Sequence, residues 1–88
     1  MPGKYRLEIK TSAKKALENL PVTTQERLID KLLALSNNPR PFGCKKLLGT
    51  AYYRIRSGDY RIIYSINDEK LNVLVIDVGH RRDVYRGY

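Results

Sequence analysis

Eighty-eight residues suffice for one domain with a single small core, and 17 Lys and Arg against nine acids leave the chain at +8 with a pI near 9.8. A lone Cys44 excludes an internal disulfide and any cysteine-rich zinc site, and with one His no recognisable metal constellation can be assembled. No apolar run is long enough for a signal peptide or a bilayer span, so a cytoplasmic protein without membrane attachment or cofactor is expected. The charge calls for an anionic partner: nucleic acid, an anionic surface or an acidic protein.

Residues 4–10 alternate cleanly, Tyr5, Leu7 and Ile9 against Lys4, Arg6, Glu8 and Lys10, which predicts an amphipathic first strand with one wet face. Ser12 reads as the N-cap of a short helix that carries Ala13, Ala16, Leu17 and Leu20 on one stripe and stops at Pro21. Thr23 and Glu26 have capping-box spacing, and the helix behind them presents Leu28, Ile29, Leu32, Leu33 and Leu35 as a broad apolar face. Asn37-Asn38-Pro39-Arg40-Pro41 ends it and completes a helical hairpin. Residues 37–50 read as a loop rich in Pro, Gly and Lys, and two strands are predicted over about 51–57 and 60–66. After the polar turn Asn67-Asp68-Glu69-Lys70 comes the most continuously apolar segment, Leu71 to Val78, which reads as a central strand. The tail from Gly79 to Tyr88 is basic and aromatic.

The order β-α-α-β-β-β keeps helices and strands in separate runs. It predicts one α+β domain over residues 1–88, a two-helix hairpin packed on one face of a largely antiparallel four-stranded sheet. The other sheet face stays open, and the most informative stretch of the chain lies there. Gly58-Asp59 suits a two-residue type II′ turn, which sets Ser57 against Tyr60 and Arg56 against Arg61. Alternation then puts Arg54, Arg56 and Arg61 on one face and Tyr53, Ile55, Ile62 and Tyr64 on the other. Like charges opposed across a hairpin are unfavourable, so this concentration of cations suggests an anionic partner, with phosphate the obvious one.

Suppose the partner is RNA. A 2′-hydroxyl attacking the adjacent phosphate must lose a proton, the extra phosphorane charge must be stabilised, and the leaving 5′-oxygen must gain a proton. Guanidinium forks match phosphate oxygens and stay charged, so Arg54, Arg56, Arg61 and Arg81 suit the charge requirement without a metal. Proton transfer is harder to assign. His80 has the natural pKa for it, and Tyr85 could serve beside arginines or instead stack on a base. Asp83 could accept a proton or pair with Arg82 or Arg86. Lys45 and Lys46 are solvated loop residues or longer-range phosphate contacts, and Arg82 and Arg86 are RNA contacts by type.

The helix end Ala16-Leu17-Glu18-Asn19-Leu20-Pro21, the run Lys46-Leu47-Leu48-Gly49, the hairpin Tyr53-Arg54-Ile55-Arg56 with Asp59-Tyr60-Arg61-Ile62-Ile63-Tyr64, and Val78-Gly79-His80-Arg81-Arg82-Asp83-Val84-Tyr85-Arg86 carry a resemblance. Over essentially its full length the chain resembles the RelE side of the RelE/ParE toxin superfamily of bacterial and archaeal toxin–antitoxin systems. The resemblance implies a toxin that enters the ribosomal A site and cuts mRNA there without a metal. It implies that Arg54, Arg56, Arg61, Arg81 and Tyr85 carry activity, with arginines here where the best-known member has lysines on the second strand. It also brings His80 into the catalytic set, since some relatives use a tail histidine. The implied partner is a cognate antitoxin that masks the basic surface, and operator DNA is reached only through that antitoxin. Two other readings compete: a ParE-like inhibitor of DNA gyrase, and an RNA- or ribosome-binding module that does not cut.

Overall fold

The structure is a computed structural model that describes residues 4–80. Over these residues the elements run β1 (Arg6–Ile9), α1 (Thr11–Glu18), α2 (Val22–Asn37), β2 (Lys45–Lys46), β3 (Tyr52–Ser57), β4 (Tyr60–Asn67) and β5 (Asn72–His80). The strands form one sheet in the order β1-β5-β4-β3-β2, antiparallel except that β1 runs parallel to β5. The α+β layering expected from the sequence is present. The sheet has five strands rather than four, because Lys45 and Lys46, read as loop, pair with Arg54 and Tyr53. A two-residue strand is too short for alternation to reveal it, and a short lysine edge discourages further pairing. The apolar strand β5 is interior, between β1 and β4, while β4 occupies the middle.

Both expected N-caps are displaced. The Lys10 N–H donates to the Val75 carbonyl at 2.9 Å, so pairing continues up to the residue where α1 begins, and Ser12 falls inside the helix. Helix α2 starts at Val22 with Pro21 in the cap position, where it offers no side-chain acceptor, and Thr23 lies in the first turn. The Gln25 side chain instead donates to the Leu20 carbonyl at 2.7 Å and the Glu18 carbonyl at 3.2 Å, tying the start of α2 to the end of α1.

Leu28, Leu32 and Leu35 on α2, with Ala13 and Leu17 on α1, pack against Ile55, Ile62, Tyr64, Val73, Val75 and Val78 of the sheet. The buried stripe is narrower than the periodicity suggested: Ile29 and Leu33 are 42% and 56% exposed. No helix among the described residues is long and apolar enough to cross a membrane.

Polar staples close the end of the sheet opposite the Gly58 turn. The buried Tyr64 hydroxyl donates to the Pro39 carbonyl at 2.7 Å, and the Tyr64 ring stacks on Tyr53. Burial, above all, pushes the Tyr64 hydroxyl's pKa upward, so it stays protonated and donating. Arg40 forks onto Asp68 at 2.9 and 3.1 Å, and the Tyr5 hydroxyl donates to the same carboxylate at 2.7 Å. These bonds join the loop after α2 to the β4–β5 turn and to the residue before β1.

Tyr64→Phe leaves the Pro39 carbonyl without its donor and is expected to cost about 1–3 kcal/mol in urea unfolding, with the fold retained. The hydrogen bond from Arg40, then that from Tyr5, hold the Asp68 carboxyl down at about 2, below its ordinary 3.8. Its folded pKa is depressed, so the stabilisation is complete above about pH 4 and is lost as the pH falls towards 2. The pair is solvent-exposed and the effect small. Unfolding midpoints measured from pH 5 to pH 2 should fall less steeply for Asp68→Asn than for the parent chain.

Candidate active site on the open sheet face

The β3–β4 turn forms as its two residues dictate. Gly58 sits at φ +59°, and Leu71 is the only non-glycine at positive φ among the described residues, so Asp59 has negative φ and the turn fits type II′. Its register places Ser57 opposite Tyr60 and Arg56 opposite Arg61. Arg54 pairs with Ile63 of β4 on one side and Lys45 of β2 on the other. Directly paired residues share a face, so Lys45, Arg54, Arg56 and Arg61 all lie on the side away from the helices.

Their environments differ. Arg56 is exposed and Arg54 half-buried, which leaves both within reach of a ligand. Arg61 is only 3% exposed. Its Nη2 donates to Asp77 Oδ2 at 3.0 Å and its Nη1 donates to the His80 carbonyl. The third arginine, expected as an open phosphate contact, is thus a buried member of a polar network within the sheet.

Asp77 reaches that network through a break in β5. Ile63 pairs with Asp77 and Tyr64 with Val75, so Ile76 is an extra residue on β5, a bulge. Val73 and Val75 face the helices, and strict alternation would send residue 77 the same way. The bulge reverses the parity, so that Val78 joins the core and Asp77 emerges among the arginines. Ile63, fully buried, lies between Arg54 and Asp77 in the same cross-strand row. The sequence reading missed Asp77. The available signal was one acid inside the apolar run Leu71 to Val78, at a position that simple alternation would bury beside valines.

The structure does not bring His80 into the arginine row. It pairs with Tyr60, and the two rings meet edge to face, with centroids 5.3 Å apart at 74°. Tyr60 packs against the core, so the His80 ring is on the helix side at the end of the sheet. A cavity of about 280 Å³ opens nearby between α2 and the turn, lined in part by Thr24, Arg27, Asp59 and Tyr60. Lys45 and Lys46 are exposed and, as neighbours on a strand, point to opposite faces. Arg81, Arg82, Tyr85 and Arg86 lie outside the described residues. Among the described residues no group of three His, Cys, Asp or Glu is placed to hold a metal ion.

Known proteins share this scaffold. Residues 7–85 match the family described as the ParE toxin of the type II toxin–antitoxin system parDE. The chain is 33% identical to Toxin RelG of Mycobacterium tuberculosis over 93% of its own length and 97% of the relative's. It is 36% identical to the mRNA interferase toxin RelE of Escherichia coli over 88% and 83% of the two chains. The structure superposes on the RelE chain of the archaeal RelE–RelB complex from Pyrococcus horikoshii with a TM-score of 0.81 at 33% identity, covering 92% of this chain and 99% of that one. A match along nearly the whole chain, in sequence and in sheet architecture, identifies the protein as a member of the RelE/ParE superfamily of type II toxins.

Proposed function

We propose that this toxin is a ribosome-dependent endoribonuclease that cuts mRNA in the A site without a metal and is neutralised by a cognate antitoxin. The observation that carries the reading is the cationic row on the open face, where Lys45 and Arg54 stand in register and Arg56 follows one step along β3. Preorganised guanidinium groups facing solvent suit the developing charge on a phosphorane, and they need no reorganisation as that charge appears. The names of the relatives support it, since one of them is an mRNA interferase. RelE–RelB complexes among the structural neighbours support an antitoxin partner. The matching family carries the ParE description, so gyrase inhibition is the competing reading.

In the proposed reaction the 2′-oxygen attacks the adjacent phosphorus, its proton leaves to a base, and the P–O5′ bond breaks as that oxygen takes up a proton. Arg54 and Arg56 neutralise the non-bridging oxygens, and Arg81 is assigned to the same task. Of the two proton carriers assigned by type, Tyr85 and His80, the His80 ring lies on the helix side, away from the face that carries Arg54 and Arg56. Lys45, Arg82 and Arg86 extend the contact along the RNA backbone, whereas Lys46 points to the other face, and operator DNA is bound only by way of the antitoxin.

The test uses translating ribosomes carrying a defined mRNA, with RNA ends mapped by primer extension after addition of purified toxin. Cuts confined to the A-site codon, and absent on naked RNA, are expected. Arg54→Ala and Arg56→Ala should each slow cleavage about a hundredfold while weakening ribosome association far less. An intact message with blocked translation would replace the nuclease by a binding role, and an intact message with inhibited DNA supercoiling would move the target to gyrase.

A further inference from the structure

The open face is not charged throughout. One step along β3 from Arg54, away from the Gly58 turn, the cross-strand row is neutral: Tyr52 pairs with Ser65 of β4, and Ser65 with Leu74 of β5. On the other side the Leu47 N–H donates to the Tyr52 carbonyl at 2.9 Å, continuing the β2–β3 ladder past Lys46. We infer that this row, centred on Tyr52, is a nucleobase subsite, where the base of the nucleotide whose phosphate meets Arg54 stacks on the Tyr52 ring. The inference deepens the ribonuclease reading and rests on it for the identity of the ligand as RNA.

Three observations carry it. The first is where the aromatic groups go. Tyr5, Tyr53, Tyr60 and Tyr64 lie in or against the helix-side core, whereas alternation sends Tyr52 to the arginine side with Arg54. Leu74 likewise faces away from the core that holds Val73 and Val75, and Leu47 shares the face of Lys45. All three are half-buried on a face the helices do not cover, and Ile63, buried in the next row, continues the apolar surface up to Arg54. A strand face that meets only water alternates to polar side chains, so this row marks a contact surface.

The second is spacing. Residues two apart on a strand stand about 6.5 Å from each other, comparable to the offset between a nucleotide's phosphate and its base. A phosphate held at Arg54 can therefore lay its base over Tyr52, as aromatic side chains hold unstacked RNA bases. The third is charge. The row carries no cation and ends at β1 on Glu8, which pairs with Leu74, so the phosphates are drawn to Lys45, Arg54 and Arg56 and the neutral row is left to the base. Ser65, partly exposed beside Tyr52, offers a hydroxyl that can donate to or accept from a base edge.

A binding measurement tests the subsite on the wild-type chain. Isotopically labelled toxin is titrated with a 2′-O-methyl RNA trinucleotide, which lacks the attacking hydroxyl, and with its abasic counterpart of equal charge. The Arg54 and Arg56 Nε–H resonances should move with both ligands, and the Tyr52 ring protons should move upfield with the base-bearing one alone. A Tyr52 ring that moves equally with both overturns the subsite. A ring that responds to neither assigns the patch to protein contact and overturns it too.

On programmed ribosomes, cleavage should favour a purine over a pyrimidine at one position of the A-site codon, because purines stack more strongly. Tyr52→Leu should lower kcat/KM about tenfold on the purine codon and flatten that preference, while Tyr52→Phe, which keeps the ring, should retain it. An unaltered preference in Tyr52→Leu, or an equal loss on every codon as a merely structural tyrosine would give, overturns the subsite. If wild-type toxin leaves mRNA intact, the ribonuclease reading fails, and the titration still decides the base subsite.

Discussion

The part-buried ion pair between Arg61 and Asp77 is the constraint on which the open face depends. The Gly58 turn leaves no freedom in register, so Arg56 and Arg61 must stand opposite each other, and two guanidinium groups so placed repel. The sheet resolves this by separating their roles. Arg61 sinks into the sheet and is neutralised by a carboxylate from the next strand, while Arg56 remains in water. Such a pair adds little net stability compared with an apolar replacement of similar volume. Its effect lies in specification: an arginine buried on this face requires a carboxylate at one position only, and the bulge in β5 supplies it.

The two faces of the sheet divide the work cleanly. The helices take most of the apolar side chains of β3, β4 and β5, and the other face carries the charge around a buried Ile63. The two ends of the sheet divide it again. Tyr5, Arg40, Asp68 and Tyr64 tie loops together at the end away from the Gly58 turn, with bonds between side chains and backbone that involve no residue of the arginine row. Arg61 is at once a cation by type and a structural tie by environment.

Membership of the RelE/ParE superfamily fixes the scaffold and leaves the target to the side chains it displays. Folds of this kind serve unrelated targets, so the functional argument has to rest on the site. The forked Arg54 and Arg56 of β3, with Lys45 of β2 beside them, are aligned with the strand repeat, a spacing suited to phosphates. An inhibitor that works by protein contact has no need of that alignment.

Much of this was legible in the residues. Alternation in residues 4–10, the Leu28, Leu32, Leu35 stripe and the Gly58-Asp59 pair settled the elements, the layering and the register of the arginine hairpin, because each is a local rule about which way a side chain points. The fifth strand was not legible, since two lysines carry no period. The helix starts were misplaced because strand pairing at Lys10 and the backbone of Pro21 outweighed side-chain capping. The state of each arginine lay beyond the sequence as well. Arg54, Arg56 and Arg61 are alike in type and in face, and only the pairing of β4 with a bulged β5 decided which one is buried and which two meet solvent. A bulge changes parity for every residue beyond it, and whether one forms depends on the partner strand, so the placement of Asp77, and with it the environment of Arg61, belongs to the tertiary structure alone.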